Sequence, residues 1–142
     1  MESNITKAKR MFATGNYTCV LCKDEKIYTS ADRGIKPLLA WLDMEENLQG
    51  FCAADKVVGK AAAYLYVLLG VEEVYAAIMS EAAREIFTLH HVAFQYETLV
   101  KEIRNRTNTG LCPMEEAVKN AVHPSEALNN IRKKLRNYSV PS

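Results

Sequence analysis

Two hydrophobic periods alternate along the chain, and their alternation predicts an order of elements. From Asn4 to Thr14, Ala8, Met11 and Phe12 recur at helical spacing and Gly15-Asn16 stops the run, which predicts a short opening helix. Tyr17 to Cys22 and Lys26 to Thr29 read as two strands joined by Lys23-Asp24-Glu25, a hairpin. Ile35 to Glu46 carries Leu38, Leu39, Trp41 and Leu42 on one side, a helical spacing, and Pro37 suits its first turn, where a missing N–H costs little. Phe51 to Ala54 is a short apolar run, read as a buried strand. Lys56 to Leu69 follows as an alanine-rich apolar helix closed by Gly70. Val74 to Met79 reads as a strand, Ser80 as the cap of a helix from Glu81 to His90, and Ala93 to Tyr96 as a last strand. Arg104 to Gly110 is a polar loop, Met114 to Val122 a helix, and Pro124 opens a final helix through Arg136. Tyr138 to Ser142 reads as a loose tail.

Strands alternating with helices after an opening hairpin point to a three-layer α/β domain, with Ala61, Ala62 and Ala63 permitting one helix to pack closely on a sheet. The 142 residues fit one domain over residues 1–138 with a tail at 139–142. Composition narrows the function classes. A net charge of +1, from 18 basic and 17 acidic residues, lacks the basic excess that a duplex-binding surface needs. No run approaches the roughly 18 apolar residues of a membrane span, and the N-terminus opens polar with no apolar leader, so a cytoplasmic location is expected. The cysteines, Cys19, Cys22, Cys52 and Cys112, are then expected as reduced thiols. Cys19 and Cys22 have the spacing of a metal knuckle but lie in a strand, where they face opposite sides of the sheet, and no second Cys-x-x-Cys exists. No metal site is expected.

Chemistry concentrates in two stretches, Asp55-Lys56-Val57-Val58-Gly59-Lys60-Ala61-Ala62-Ala63 and Gly110-Leu111-Cys112-Pro113-Met114-Glu115. Each hands over to a predicted helix, where backbone N–H groups are left free. On a helix beginning at Lys56, Lys56 and Lys60 share one face beside the positive dipole end, an arrangement that an anion offsets. The alternative is that Asp55 caps the helix and Lys60 reaches solvent. Gly59-Lys60 does not make a phosphate-binding P-loop, because Ala54 stands for the required glycine and Ala61 for the Ser/Thr. Cys112 opens a helix whose first turn holds Glu115 and Glu116, so it is either a nucleophile or an inert thiol. Arg106 suits a carboxylate or phosphate and Asn105 a base or amide edge, unless both are simply solvated. Arg33 and Lys36, beside Gly34, repeat the theme of basic residues at a helix start.

The order of elements resembles the cytidine deaminase-like fold, an α/β/α arrangement with a mixed sheet of about five strands. In active members of that fold a His-Ala-Glu or Cys-Ala-Glu opens one core helix and Pro-Cys-x-x-Cys another, together holding zinc and a proton-shuttling Glu. Here the first position reads Val58-Gly59-Lys60, and the second reads Cys112-Pro113-Met114-Glu115. More narrowly, the chain resembles domain-of-unknown-function family 1893 of that clan, through Arg33-Gly34-Ile35-Lys36-Pro37-Leu38, Ala54 to Ala63, Asn105-Arg106 and Cys112-Pro113-Met114-Glu115. The resemblance implies a deaminase-like pocket without zinc, with Lys60 across it from Cys112.

Three functions follow as expectations. In the first, a small anionic or nucleotide-like ligand binds among Asp55, Lys56, Lys60, Asn105, Arg106, Arg33 and Lys36 in the altered pocket, with no cofactor. In the second, Cys112 is the nucleophile of a metal-independent thiol enzyme, Lys60 holds it as thiolate and Glu115 moves protons. The third is a non-enzymatic scaffold or interaction protein. A homodimer is expected by analogy with the fold, and zinc-dependent deamination is not.

Overall fold

The computed structural model describes residues 2–139, and they form an open mixed sheet with six helices. Helix α1 (Asn4–Thr14) starts at Ser3, whose hydroxyl accepts from the Thr6 N–H, and a two-stranded hairpin follows, β1 (Cys19–Lys23) and β2 (Lys26–Ser30). Helix α2 (Lys36–Asp43) leads to β3 (Cys52–Val58), α3 (Lys60–Leu69), β4 (Glu73–Ser80), α4 (Glu81–Leu89) and β5 (Ala93–Val100). Two helices close the chain, α5 (Pro113–Ala117) and α6 (Pro124–Ser139).

The strand order is β2-β1-β3-β4-β5. Strand β1 is antiparallel to both neighbours, while β3, β4 and β5 run parallel and are joined by crossover helices, as parallel pairs require. Those helices cover one face. Leu38 and Trp41 of α2, Ala61 to Tyr66 and Leu69 of α3 and Ala83, Ile86 and Phe87 of α4 pack there on Leu21, Ala53, Val74 and Ala76 of the sheet. Helix α1 covers the other face, where Ala8 meets Val20, Cys22, Ala54 and Tyr75. The three alanines of α3 are all buried. Gly70 ends α3 at φ +82°, a left-handed conformation that costs glycine no Cβ clash.

Most elements stand where the hydrophobic pattern puts them, and several boundaries differ. Residues Lys56 to Val58 extend β3 instead of opening α3, which begins only at Lys60. Two β-branched valines favour the strand, and Ala76, Ile78 and Met79 of β4 pair with Asp55, Val57 and Val58. Asp55 is therefore no helix cap, and Lys56 shares no helical face with Lys60. Strand β5 continues to Val100, four residues past the expected Tyr96. Helix α5 is a short turn of helix that ends at Ala117 and not at Val122. Past it, the carbonyls of Lys119 and Ala121 accept from the Lys60 ammonium and the Tyr64 hydroxyl of α3, so they take side-chain donors and not helical N–H groups. Helix α6 carries through Tyr138 and Ser139, and the remainder of the expected tail, residues 140–142, lies outside the described residues.

Candidate functional site

The parallel strands deliver the two motif stretches to one end of the sheet. β3 ends at Val58, Gly59 serves as the extended N-cap of α3, and Lys60 begins the helix. Gly59 offers no side chain to satisfy the first free N–H groups of α3. Glu115 of α5 supplies the acceptor from 55 residues away: one carboxylate oxygen takes the Lys60 N–H at 2.7 Å and the other takes the Ala61 N–H at 2.8 Å. The approach is so close that a Cβ on Gly59 would overlap the Glu115 carboxylate and Ile103, which explains glycine here although its φ of −99° is open to any residue. The anion expected at this helix start is thus part of the chain. Burial pushes the Glu115 carboxyl above its ordinary range, while the two N–H groups and the charge of Lys60 pull the other way.

Around this cap the predicted residues separate. On one side, Glu115, Cys112, Met114, Ile103, Val57 and Ile35 line an inner pocket of about 90 Å³. Its walls Gly34, Ile35 and Met114 also line an outer groove of about 540 Å³, where Arg33 and Lys36 stand exposed beside Leu39 and Leu135. Cys112 and Glu115 therefore stand in an inner pocket that adjoins the groove of Arg33 and Lys36 at Gly34, Ile35 and Met114. Cys112 is the half-buried N-cap of α5, and its backbone N–H bonds the Ile103 carbonyl.

Lys60 points elsewhere. Its ammonium bonds the Lys119 carbonyl at 3.0 Å and lies 6.0 Å from the centre of the Tyr64 ring. It lines a separate cleft of about 190 Å³ with Ser80, Lys101, Lys119 and the opposite flank of Glu115, and Cys112 takes no part in that cleft. Lys56 is exposed on β3. Arg106 is exposed in its loop, and the Asn105 side chain is engaged within the same loop, where its carbonyl accepts from the Thr109 N–H and its amide bonds the Thr109 hydroxyl.

Asp55 faces the core beneath α3. Its carboxylate accepts from the Tyr66 hydroxyl at 2.6 Å, and the Cys19 sulfur lies 3.2 Å from the same hydroxyl, across the β1–β3 ladder from Asp55. With the Tyr66 proton given to Asp55, the thiol of Cys19 donates to the Tyr66 oxygen. Burial raises the Asp55 carboxyl to about 7, against the Tyr66 hydroxyl and the N–H groups of Lys56 and Val57, which favour its ionised form. Nothing in the sequence marked Tyr66 as its partner, because a tyrosine in an apolar helix reads as ordinary core.

The zinc of a deaminase does not fit these residues. Cys112 and Glu115 are the donors at the two places where the resemblance puts zinc ligands, both Glu115 oxygens are committed to backbone N–H groups, and a catalytic tetrahedral zinc takes three protein ligands. Among the described residues no three His, Cys, Asp or Glu side chains gather as a metal site.

No curated protein matches the chain. Its structure is similar to the crystal structure, at 2.70 Å resolution, of a DUF1893 family protein (TM1506) from Thermotoga maritima, with a TM-score of 0.83 and 25% identity over 96% of this chain and 92% of that one. The model of the domain of unknown function DUF1893 matches residues 7–135, and the chain belongs to that family.

Proposed function

We propose that the protein binds a small anionic, nucleotide-like ligand in the recess that runs from Arg33 and Lys36 to Cys112 and Glu115, within a deaminase-like fold that has exchanged its zinc site for an internal cap. The observation that carries this reading is the shared wall: Gly34, Ile35 and Met114 border both the basic outer groove and the inner pocket. The outer volume of about 540 Å³ is of the size that small ligands occupy, whereas the inner 90 Å³ admits only a small group. A phosphate or carboxylate sits at Arg33 and Lys36, and an apolar or planar part lies along Ile35, Leu39 and Met114.

The meeting of the α3 and α5 starts through Glu115 supports the deaminase-like relationship, because these are the two places where the resemblance puts the ligands of zinc. Lys60 drops out of the ligand set, since its ammonium serves the Lys119 carbonyl across the Glu115 barrier. The same placement removes the lysine from a thiolate pair with Cys112, so the thiol-enzyme reading keeps its cysteine but loses its activating cation.

Titration calorimetry with a panel of nucleoside monophosphates and inorganic phosphate tests the reading. Binding that falls at least tenfold in Arg33→Ala and Lys36→Ala, and is unchanged in Lys60→Ala, is the expected result. Absence of binding across the panel, or binding that survives both groove substitutions, overturns it.

A further inference from the structure

Two cysteines with no part in the recess stand directly opposite each other in the sheet. Cys22 of β1 is the register partner of Cys52 of β3 in an antiparallel ladder. Partners in such a ladder project to the same face with Cα atoms about 4.5–5.5 Å apart, inside the roughly 4.4–6.8 Å that a disulfide spans. That face is the one under α1: Cys22 packs there with Ala8, Val20 and Ala54, and Cys52 lies two residues before Ala54 on the same strand.

We propose that Cys22 and Cys52 form an oxidisable dithiol, which hydrogen peroxide converts to a cross-strand disulfide that locks the hairpin to the parallel half of the sheet. Both thiols are free and buried, so the oxidant has to be small. A polar groove of about 1090 Å³ is lined by Lys7 and Arg10 of α1, by Lys23, which follows Cys22 on β1, and by Asp24 of the hairpin turn. Burial pushes the Cys22 thiol up, with Glu2 acting in the same sense, while the cations of Lys7 and Arg10 pull the other way. Cys52 is held up by burial and by the acids Glu72 and Glu73, with its sulfur 4.0 Å from a Glu72 oxygen. With Lys7 and Arg10 near Cys22 and a Glu72 oxygen 4.0 Å from the Cys52 sulfur, Cys22 takes the attacking role and Cys52 the resolving one.

The chemistry balances in two steps. The Cys22 thiolate bonds one peroxide oxygen, the O–O bond breaks, and the departing hydroxide takes up the thiol proton as water, leaving a sulfenic acid. The Cys52 sulfur then bonds the Cys22 sulfur, the S–O bond breaks, and the second hydroxide leaves as water with the Cys52 proton. Two thiols are oxidised to one disulfide and one peroxide is reduced to two waters.

The test uses the whole protein, fully reduced, desalted and treated with a modest excess of hydrogen peroxide. The expected result is a mass loss of two hydrogen atoms, a non-reduced digest in which the Cys22 and Cys52 peptides are joined, and reversal by dithiothreitol. The Tm rises by several degrees, because the bridge closes a loop of about 30 residues. Cys112→Ser keeps the link, while Cys22→Ala and Cys52→Ala lose it. Peroxide-treated wild-type protein in which both cysteines remain alkylatable after unfolding overturns the proposal. So does a link made to Cys19 or Cys112, or oxidation of Cys22 to sulfinic acid with no link.

Discussion

Glu115 accepts the backbone N–H of Lys60 at 2.7 Å, and this bond joins the two stretches of sequence in which the candidate chemistry resides. With the second bond, to Ala61, it gives α3 a charged cap from outside the helix and fixes α5 against the end of β3. A carboxylate at a helix start gains from both the free N–H groups and the dipole. Replacing Glu115 by Ala leaves two partly buried donors unpaired, at a cost of about 1–3 kcal/mol. Gly59→Ala displaces the same carboxylate and should cost a similar amount. The two substitutions touch one interaction, so the double variant should be less destabilised than their sum. Urea unfolding of the four proteins measures the cycle, and additive losses would show that Gly59→Ala does not act through the Glu115 carboxylate.

The buried acid Asp55 makes stability depend on pH with a definite sign. Its carboxyl stands at about 7 in the folded protein because of burial, above an unfolded value near 3.9. Between those values the folded state binds more protons than the unfolded one, so stability is fully present below about pH 4 and is lost as pH rises toward 7. A tenfold difference in proton affinity between the two states is worth about 1.4 kcal/mol, which makes the loss on the order of a few kcal/mol. Glu115, also raised by burial, adds a smaller slope of the same sign. Asp55→Asn should flatten most of the curve, and the deficit of the variant against wild type should shrink from pH 4 to pH 8. A wild-type curve that instead rises across this range contradicts the assignment.

Tyr66 is the side-chain donor that makes the Asp55 carboxylate tolerable, at 2.6 Å. Tyr66→Phe removes that bond and also leaves the Cys19 thiol without its acceptor. The expected cost is about 1–3 kcal/mol near neutral pH, since a buried charged acceptor loses a partner. It should be smaller at pH 4, where Asp55 is protonated. Chemical unfolding at the two pH values separates this effect from loss of packing, which would be equal at both.

Much of the fold was legible because periodicity survives without contacts. The opening helix, the hairpin, the closing Gly70 and the Ser80 cap follow from local spacing and local hydrogen bonding. The start of α3 did not, because Lys56-Val57-Val58 continues an apolar run that fits strand and helix alike. Tertiary pairing with β4 and the contact of Gly59 with Glu115 decide it. That one boundary governed the site. With Lys56 in a strand and Glu115 seated on the helix start, the pair of lysines facing an external anion dissolves into an exposed residue and a carbonyl-bound one. The pairing of Cys112 with Glu115 was readable from their spacing, and so was the presence of Arg33 and Lys36 at a helix start. Their junction through Met114 was not, because it depends on the tertiary packing that brings Met114 to the groove beside Arg33 and Lys36.

Lys60 offers a further check on this rearrangement. Its ammonium bonds one backbone carbonyl at a partly exposed position. Lys60→Met keeps the aliphatic stem and removes only that bond, so a change of about 0.5–1.5 kcal/mol is expected. A larger loss would place Lys60 in a more demanding role than the Lys119 carbonyl provides, and denaturant titration distinguishes the two.

The thiols should also differ sharply in reactivity in the folded state. Cys19, Cys22 and Cys52 are buried, and Cys112 alone is half-exposed among the described cysteines, on the wall of the inner pocket. Burial pushes the other three thiols upward, which lowers their thiolate fraction as well as their access. A bulky aromatic disulfide reagent should therefore label about one thiol per chain in native protein and four after unfolding. Cys112→Ser should remove the native label almost entirely. If a ligand occupies the recess, its presence should also slow the labelling of Cys112, while the unfolded count stays the same. Rapid native labelling of a second cysteine would instead mean that α1 opens from its face of the sheet more readily than its packing on Val20, Ala54 and Tyr75 implies.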